Sequence, residues 1–127
     1  MNKYKAKKTT LCLTCGSEWI DGKQPCKCKP DPYTFDSKRE AARYQELLLL
    51  MKAGEVKEVT LQPGYVLLDG YVKNGKKVRP IVYRADFKVY YTDGRVEVED
   101  VKGMKTKEFR LKEKLFNAKY EEELIIV

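Results

Sequence analysis

The sequence contains no histidine, and this absence excludes several kinds of enzyme site. Of its 127 residues, 26 are Lys or Arg, 19 are Asp or Glu and none is His. Ser-His-Asp hydrolases, Cys-His enzymes, zinc hydrolases with histidine ligands and nucleases with a histidine base all need an imidazole. Any catalytic chemistry of this chain must therefore rest on carboxylates, lysines and a bound metal ion.

Long apolar segments are also missing. The longest apolar run, LLLLM at Leu47–Met51, is far shorter than the roughly 20 residues that cross a bilayer. The N-terminal stretch MNKYKAKKTT is basic but lacks the apolar region of a secretory signal. We therefore expect a cytoplasmic protein with no membrane partner.

Positive charge is in excess. The formal net charge is +7, and 43 % of the residues are hydrophobic, which suits a folded domain. A basic balance of this size favours a polyanionic partner such as nucleic acid.

The chain divides into a basic N-terminal segment, residues 1–34, and an α/β domain, residues 35–127. Ser37 and Glu40 form an S-x-x-E capping pattern at the start of a first helix. Three strand-like stretches follow, separated by the turn sequences KNGKK and TDG, then a second helix from about Thr106 and the strand LIIV. The predicted order is αβββαβ, a mixed sheet flanked by helices. The inner side of the second helix is predicted to carry Phe109, Leu111, Leu115, Phe116 and Ala118.

Four cysteines in two close pairs are typical of a zinc site. A C-x2-C pair and a C-x-C pair are ten residues apart, and zinc takes four thiolates in a tetrahedron. Gly16, directly after the first pair, suits the left-handed residue of such a turn. Two disulfides or four unrelated thiols are the alternatives, of which disulfides are disfavoured in a chain without a secretory signal. We expect a small ribbon with structural Zn²⁺ bound by Cys12, Cys15, Cys26 and Cys28.

A predicted hairpin carries two aspartates and a lysine near its open end. Asp100 and Lys102 share one face of a strand because strand side chains alternate. Whether Asp86 on the preceding strand joins them depends on the turn. A two-residue turn, Asp93–Gly94, would put Asp86 on the wrong face, whereas a three-residue loop, Thr92–Gly94, would put it opposite Asp100.

Two carboxylates held close together favour a cation between them. Mg²⁺ binds one or two carboxylates, several waters and a substrate phosphate. Lys102 would orient the attacking water or stabilise charge on the phosphate. Glu40 would supply a third acid or only close the Ser37 capping box, and the sequence leaves both readings open.

These residues resemble the PD-(D/E)XK nuclease superfamily, which has an acid in the first helix, an aspartate after a strand and (D/E)-x-K on the next strand. FDSKREAARYQELLLL, LQPGY, YRADFKVYYTDG and VEDVKGMKTKEFRLKEKLFNAKY are similar to a phage- and prophage-borne family of small endonucleases in that superfamily. Holliday-junction resolvases and transposon-end endonucleases are its relatives. The resemblance covers roughly residues 35–127 and leaves out the cysteine segment, and Ala85 stands where the superfamily's name has proline.

The resemblance implies a restriction-endonuclease-like core and a Mg²⁺- or Mn²⁺-dependent endonuclease that acts on DNA in recombination or processing. It also implies the bacterial host cytoplasm as location if the gene belongs to a phage. Gln62, in the LQP motif, would orient the site or bond to backbone as a buried amide. The catalytic residues carried over are Glu40, Asp86, Asp100 and Lys102, the three acids being Mg²⁺ ligands; supporting residues are Ser37, Gln62 and Thr106.

Basic residues of the second helix would follow the DNA backbone or serve only solubility. No base-reading motif is apparent, so we expect recognition of branched DNA or DNA shape. Junction cutting needs two active sites, and the resemblance therefore implies a homodimer. A non-catalytic zinc-ribbon DNA-binding module and a protein-interaction adaptor are the alternative functions. The predicted DNA-binding residues are Lys105, Lys107, Arg110, Lys112 and Lys114.

Overall fold

The computed structural model describes residues 7–127; residues 1–6, the start of the predicted basic segment, lie outside the described part. Two helices and several small sheets make up this part, so the predicted α/β class with a mixed sheet is confirmed. The chain divides into two compact units, the first ending at Val56 and the second comprising Lys57–Val127. The domain boundary predicted after residue 34 stays a prediction.

The first unit contains a β-hairpin and a helix. The two strands are antiparallel, with Leu11 opposite Tyr33. Phe35 and Tyr44 lie in contact between the hairpin and the helix, with ring centroids 5.4 Å apart. The elements are β1 (Thr9–Cys12), β2 (Pro32–Phe35) and α1 (Lys38–Lys52).

Helix α1 begins at the predicted cap and ends before a glycine. Ser37 Oγ accepts a hydrogen bond from the Glu40 backbone N–H at 3.1 Å, which satisfies a donor that the first turn leaves unpaired. Gly54 follows the helix with φ of +81°, the left-handed conformation that ends helices. The buried face consists of Ala41, Tyr44 and Leu47.

The second unit is built on a four-stranded mixed sheet in the order β10-β9-β8-β3, with β8 and β9 antiparallel and β9 and β10 parallel. Two further antiparallel pairs, β4 with β7 and β5 with β6, extend from it along the chain. The elements are β3 (Val56–Leu61), β4 (Gly64–Leu68), β5 (Tyr71–Lys73), β6 (Lys76–Val78), β7 (Ile81–Arg84), β8 (Phe87–Tyr91), β9 (Val96–Asp100), α2 (Lys107–Lys119) and β10 (Glu123–Ile126).

Each of the first two predicted strands is broken into three short ones. Gln62 has a left-handed φ of +48°, and Pro63 beside it has no N–H for a ladder. The opposite arm breaks at the same level, because the Gln62 N–H donates to the Asp86 carbonyl and the Ala85 N–H donates to the Pro63 carbonyl. The break matters because it determines where Asp86 lies.

Helix α2 covers the core of the second unit. Phe116 packs edge-on against Tyr65, with ring centroids 4.9 Å apart, and Phe109, two turns earlier on the same face of the helix, is also buried. The prediction for the inner side was wrong for Leu111, which is 59 % exposed, and for Ala118, which is also exposed. At 3.6 residues per turn the inner stripe runs through positions 109, 113, 116 and 120 instead.

Candidate metal centres

The hairpin of β8 and β9 has the three-residue loop. The Tyr91 N–H donates to the Arg95 carbonyl at 2.9 Å, and the Gly94 N–H donates to the Tyr91 carbonyl at 3.1 Å. Gly94 has φ of +97°, as expected for the left-handed position that closes such a loop. The register with Thr92–Gly94 as the loop is therefore confirmed, and the two-residue alternative is wrong.

The ladder between the two strands ends one step before the aspartates. Phe87 opposite Glu99 is the last pair, and the Asp86 N–H donates to the Glu99 carbonyl at 3.0 Å. Beyond this point Asp86 Oδ2 accepts a hydrogen bond from the Val101 N–H at 2.7 Å. The Asp86 carboxylate thus replaces a backbone acceptor of the ladder and lies next to the residue that carries the second carboxylate, Asp100.

Asp100 is a buried carboxylate with two partners. It is 4 % exposed, the Tyr83 hydroxyl donates to its Oδ2, and Lys102 Nζ lies 3.5 Å from its Oδ1. A buried carboxylate is stable only when it is paired and hydrogen-bonded. The Lys102 ammonium also lies 4.4 Å from the ring centroid of Phe109, so an aromatic face holds it on the side of Asp100.

Tyr83 and Glu113 belong to this cluster, and sequence reasoning missed both. Burial raises the pKa of Tyr83, and the hydrogen bond to Asp100 raises it further. The charges of Asp86 and Glu113 raise this pKa as well, which means that both carboxylates lie near the phenol. The one signal for Glu113 is its place between Phe109 and Phe116 on the inner stripe of α2.

The described residues of the second unit provide no third acid that could bind the same metal ion as the two aspartates. Among its described residues, no three acidic side chains have oxygens close enough to share one ion. Glu40 lies on α1 in the first unit, where its N–H completes the Ser37 cap. The N-cap at Ser37 is confirmed, and both roles of the Glu40 side chain, in the capping box and as a metal ligand, stay predictions.

The four cysteines form a compact cluster in the first unit. Their Sγ atoms all lie within 4.8 Å of one another, and all four are free thiols. A zinc ion with Zn–S bonds of about 2.3 Å would hold sulfurs about 3.8 Å apart in a tetrahedron. The cluster is therefore compatible with a metal such as zinc, and the four thiols lie together, unlike the unrelated thiols of one alternative.

The turn after the first cysteine pair is shaped by glycine. The Gly16 N–H donates to the Cys12 carbonyl at 2.7 Å, and Gly16 has φ of +80° as predicted. A Cβ at this position would lie 3.0 Å from Leu48 Cδ1. Helix α1 also holds the turn through hydrogen bonds from Tyr44 Oη to the Leu13 carbonyl and from Gln45 Nε2 to the Gly16 carbonyl.

Ionisation within the cluster is uneven. Hydrogen bonds with the side chain and backbone of Ser17 lower the pKa of Cys15 to about 6, and Cys15 Sγ lies 3.2 Å from Ser17 Oγ. Hydrogen bonds with Cys26 and Cys15 hold the proton on Cys28 and raise its pKa to about 12. Crowded thiols cannot all ionise unless a cation neutralises them, which is what a zinc ion does.

Residues 20–126 match a family model described as "Protein of unknown function (DUF1064)". The chain belongs to the DUF1064 family. No curated protein and no solved structure matches it. The family match includes Asp86, Asp100 and Lys102 but begins after Cys12 and Cys15, so only the second cysteine pair falls inside it.

Other predicted support residues in this DUF1064 protein form hydrogen bonds with backbone groups. Thr106 caps α2, its Oγ1 accepting from the Phe109 N–H at 3.1 Å. The Gln62 side chain is exposed, which rules out the buried amide, and its N–H donates to the Asp86 carbonyl. Gln62 therefore positions Asp86 through the main chain.

The five predicted DNA-binding residues fall into two groups. Lys105 Nζ lies 3.2 Å from Glu113, and Lys112 Nζ lies 3.3 Å from Glu108. The remaining three are exposed at helical spacing on one face and form no ion pair within residues 7–127. These three are Lys107, Arg110 and Lys114.

No helix among residues 7–127 of the DUF1064 protein has the length and apolar content to cross a membrane.

Proposed function

We propose that this DUF1064 protein is a Mg²⁺-dependent endonuclease that hydrolyses DNA phosphodiester bonds and has a restriction-endonuclease-like core. One observation carries the proposal: the Asp86 carboxylate is bonded to the Val101 N–H, between Asp100 and Lys102 in the chain. This puts two acids and a lysine of the D-x-K pattern at one strand end. Mg²⁺ in phosphoryl-transfer sites binds one or two carboxylates and fills its other positions with water and substrate phosphate.

Asp86 and Asp100 would hold the ion, and Mn²⁺ would replace Mg²⁺. The ion would supply a water activated near neutral pH and would neutralise charge on the phosphate. The Val101 N–H and the Tyr83 hydroxyl each bond one oxygen of a carboxylate and so fix the direction of the other. Glu40 remains the third ligand that the resemblance implies.

Lys102 would act on the phosphate. Its ammonium is held between the Phe109 ring and Asp100, close to where a metal-bound phosphate would lie. A cation there stabilises charge that develops on phosphate oxygens in the transition state. No strong base is required, which suits a chain without histidine.

The rest of the proposal follows the same resemblance. The unpaired basic face of α2 would contact the DNA backbone, because each cation near a phosphate releases counterions and strengthens binding. Branched DNA is the proposed substrate and a homodimer the proposed assembly. Zinc in the cysteine cluster would stabilise the first unit without taking part in the chemistry.

Cleavage of a labelled four-way junction and of a matched linear duplex, with Mg²⁺ or Mn²⁺, tests the proposal. The variant is Asp86→Asn, because the amide oxygen can still accept from the Val101 N–H while the charge is lost. Asp69→Asn, at an exposed aspartate of the same unit, is the matched control. We expect metal-dependent cutting that favours the junction, is lost in Asp86→Asn and is unchanged in Asp69→Asn.

Binding of both DNAs by the wild type without cutting under either metal would overturn the nuclease proposal. That outcome would favour the non-catalytic zinc-ribbon module instead. Absence of DNA binding at physiological salt would favour the protein-interaction adaptor.

A further inference from the structure

The hairpin formed by β5 and β6 is exposed on all sides. Every residue from 68 to 82 is exposed, including apolar side chains such as Tyr71, which is 47 % exposed, and Val72, which is 65 % exposed. Two strands on their own are only marginally stable in water. A ribbon that keeps apolar side chains in solvent in this way is typical of a surface that contacts a partner.

All charged residues of this hairpin are positively charged. Between Gly70 and Ala85 the sequence has no acidic residue. Lys73 lies directly opposite Lys76 in the antiparallel register, and like charges in that arrangement destabilise a sheet. A polyanion would relieve this repulsion. The cations between these positions are Lys73, Lys76, Lys77, Arg79 and Arg84.

The tip of the hairpin is narrow. Asn74 and Gly75 have φ of +52° and +75°, the two left-handed residues of a tight two-residue turn. The ribbon is therefore two strands wide, with strands about 4.8 Å apart. The major groove of B-form DNA, about 12 Å wide, admits a two-stranded ribbon, whereas the major groove of duplex RNA is too narrow for side chains to read.

The two faces of the ribbon differ. Because side chains alternate, Tyr71 and Val78 share a face with Lys73 and Lys76, while Val72 and Lys77 occupy the other. The first face combines an aromatic ring and an aliphatic side chain with two cations at the tip. This combination suits contact with base edges and with the phosphates that border a groove.

We propose that the β5–β6 hairpin enters the major groove of duplex DNA with the face of Tyr71, Lys73, Lys76 and Val78 inward. The lysines contact phosphates, and the apolar pair lies against the groove floor. The inference rests on the proposed function in one respect, namely that the substrate is DNA, whose branched forms have duplex arms. It adds a binding surface separate from α2 and from the metal centres.

The test is binding of the full chain to a labelled linear duplex across a series of salt concentrations. All proteins carry Asp86→Asn, so that cutting does not disturb the measurement. The variant is K73Q/K76Q, and the control K38Q/K52Q removes the same charge from exposed lysines elsewhere. The slope of log K against log salt should fall by about 0.9 for every phosphate that a lysine no longer neutralises, and affinity should fall about ten-fold or more in total.

A second pair of variants tests which face of the hairpin contacts the DNA. Tyr71→Ala should weaken binding several-fold, and Val72→Ala, on the opposite face, should not. All of these residues are exposed, so the unfolding temperature should stay within the range of the controls. Any change in the unfolding temperature of the lysine variant should be an increase, because the repulsion between Lys73 and Lys76 is removed.

Equal affinity of the hairpin variant and the lysine control would overturn the inference, and cutting by the otherwise wild-type chain would then leave the nuclease proposal intact. The same loss of affinity on an RNA duplex or on acidic lipid vesicles would also overturn it, because the hairpin would then bind polyanions in general. Hairpin-dependent DNA binding by a wild type that never cuts would support the inference while the nuclease proposal fails.

Discussion

The Tyr83 hydroxyl donates a hydrogen bond to Oδ2 of Asp100 inside the second unit. The phenol comes from β7 and the carboxylate from the end of β9, two strands that are not neighbours in a sheet. The bond fixes the direction of the carboxylate that we propose as a metal ligand. Partners of this kind orient ligands and raise metal affinity.

Replacement Tyr83→Phe should therefore affect both stability and cleavage. Loss of a hydrogen bond to a buried charged group should lower the free energy of unfolding by about 2 kcal/mol. Misdirected Asp100 should lower Mg²⁺ affinity or cleavage rate about 10- to 100-fold. Denaturant unfolding and cleavage at varied Mg²⁺ measure the two effects.

Tyr65→Phe is the matched control for that variant. The Tyr65 hydroxyl donates to Glu122 Oε2 at 2.7 Å, so the same kind of bond is lost away from Asp100. We expect a comparable loss of stability with cleavage unchanged. Equal loss of cleavage in both variants would show that Tyr83 acts only through stability.

Two substitutions at Asp86 should separate the effect of its negative charge from the effect of its hydrogen bond to the Val101 N–H. Asp86→Asn keeps an acceptor for the Val101 N–H and removes repulsion with Asp100, so stability without Mg²⁺ should stay level or rise. Asp86→Ala leaves that N–H unpaired and should cost about 1–3 kcal/mol. Mg²⁺ should raise the unfolding temperature of the wild type and of neither variant; a full Mg²⁺ response in Asp86→Asn would contradict the assignment.

Stability should fall at alkaline pH because buried tyrosines hold their protons. Burial raises the pKa of Tyr83, Tyr65 and Tyr44 above the usual value of about 10. The unfolded chain loses these protons first, so the contribution is complete below pH 10 and decreases as pH rises above it. Each such tyrosine should add a slope of at most about 1.4 kcal/mol per pH unit, reached only between its unfolded and folded pKa values. Tyr83→Phe should remove the contribution of one tyrosine to this slope, in unfolding measured from pH 9 to 11.

Metal removal should affect the first unit. We expect one zinc per chain by elemental analysis, lost in Cys26→Ser and kept in Thr14→Ser. Because Tyr44 and Gln45 bond the turn after Cys12, loss of the ion should loosen β1 and the packing of the helix on it together. Hydrogen exchange of the β1 amides should report this, and unchanged protection after chelation would contradict a structural zinc.

Local signals in the sequence account for much of the fold. The capping pattern at Ser37 and the position of Thr106 predicted where the two helices begin, and the turn sequence TDG limited the hairpin to two registers, since each depends on the backbone of a few neighbouring residues. Tyr83 and Glu113 were missed for the opposite reason. Their meeting depends on the strand break near Gln62 and on how α2 lies over the sheet, which no short pattern encodes.

The three-residue loop Thr92–Gly94 also leaves room for change over generations. Tyr91 and Arg95 close the loop, so a loop of two or four residues between the same pair would keep Asp86 and Asp100 at one level of the hairpin. A slip of the pairing by one residue is the damaging change, because it would turn one arm over and separate the two aspartates. Changes of loop length should therefore be tolerated in functional relatives, whereas substitutions that shift the pairing should be as damaging as losing either aspartate.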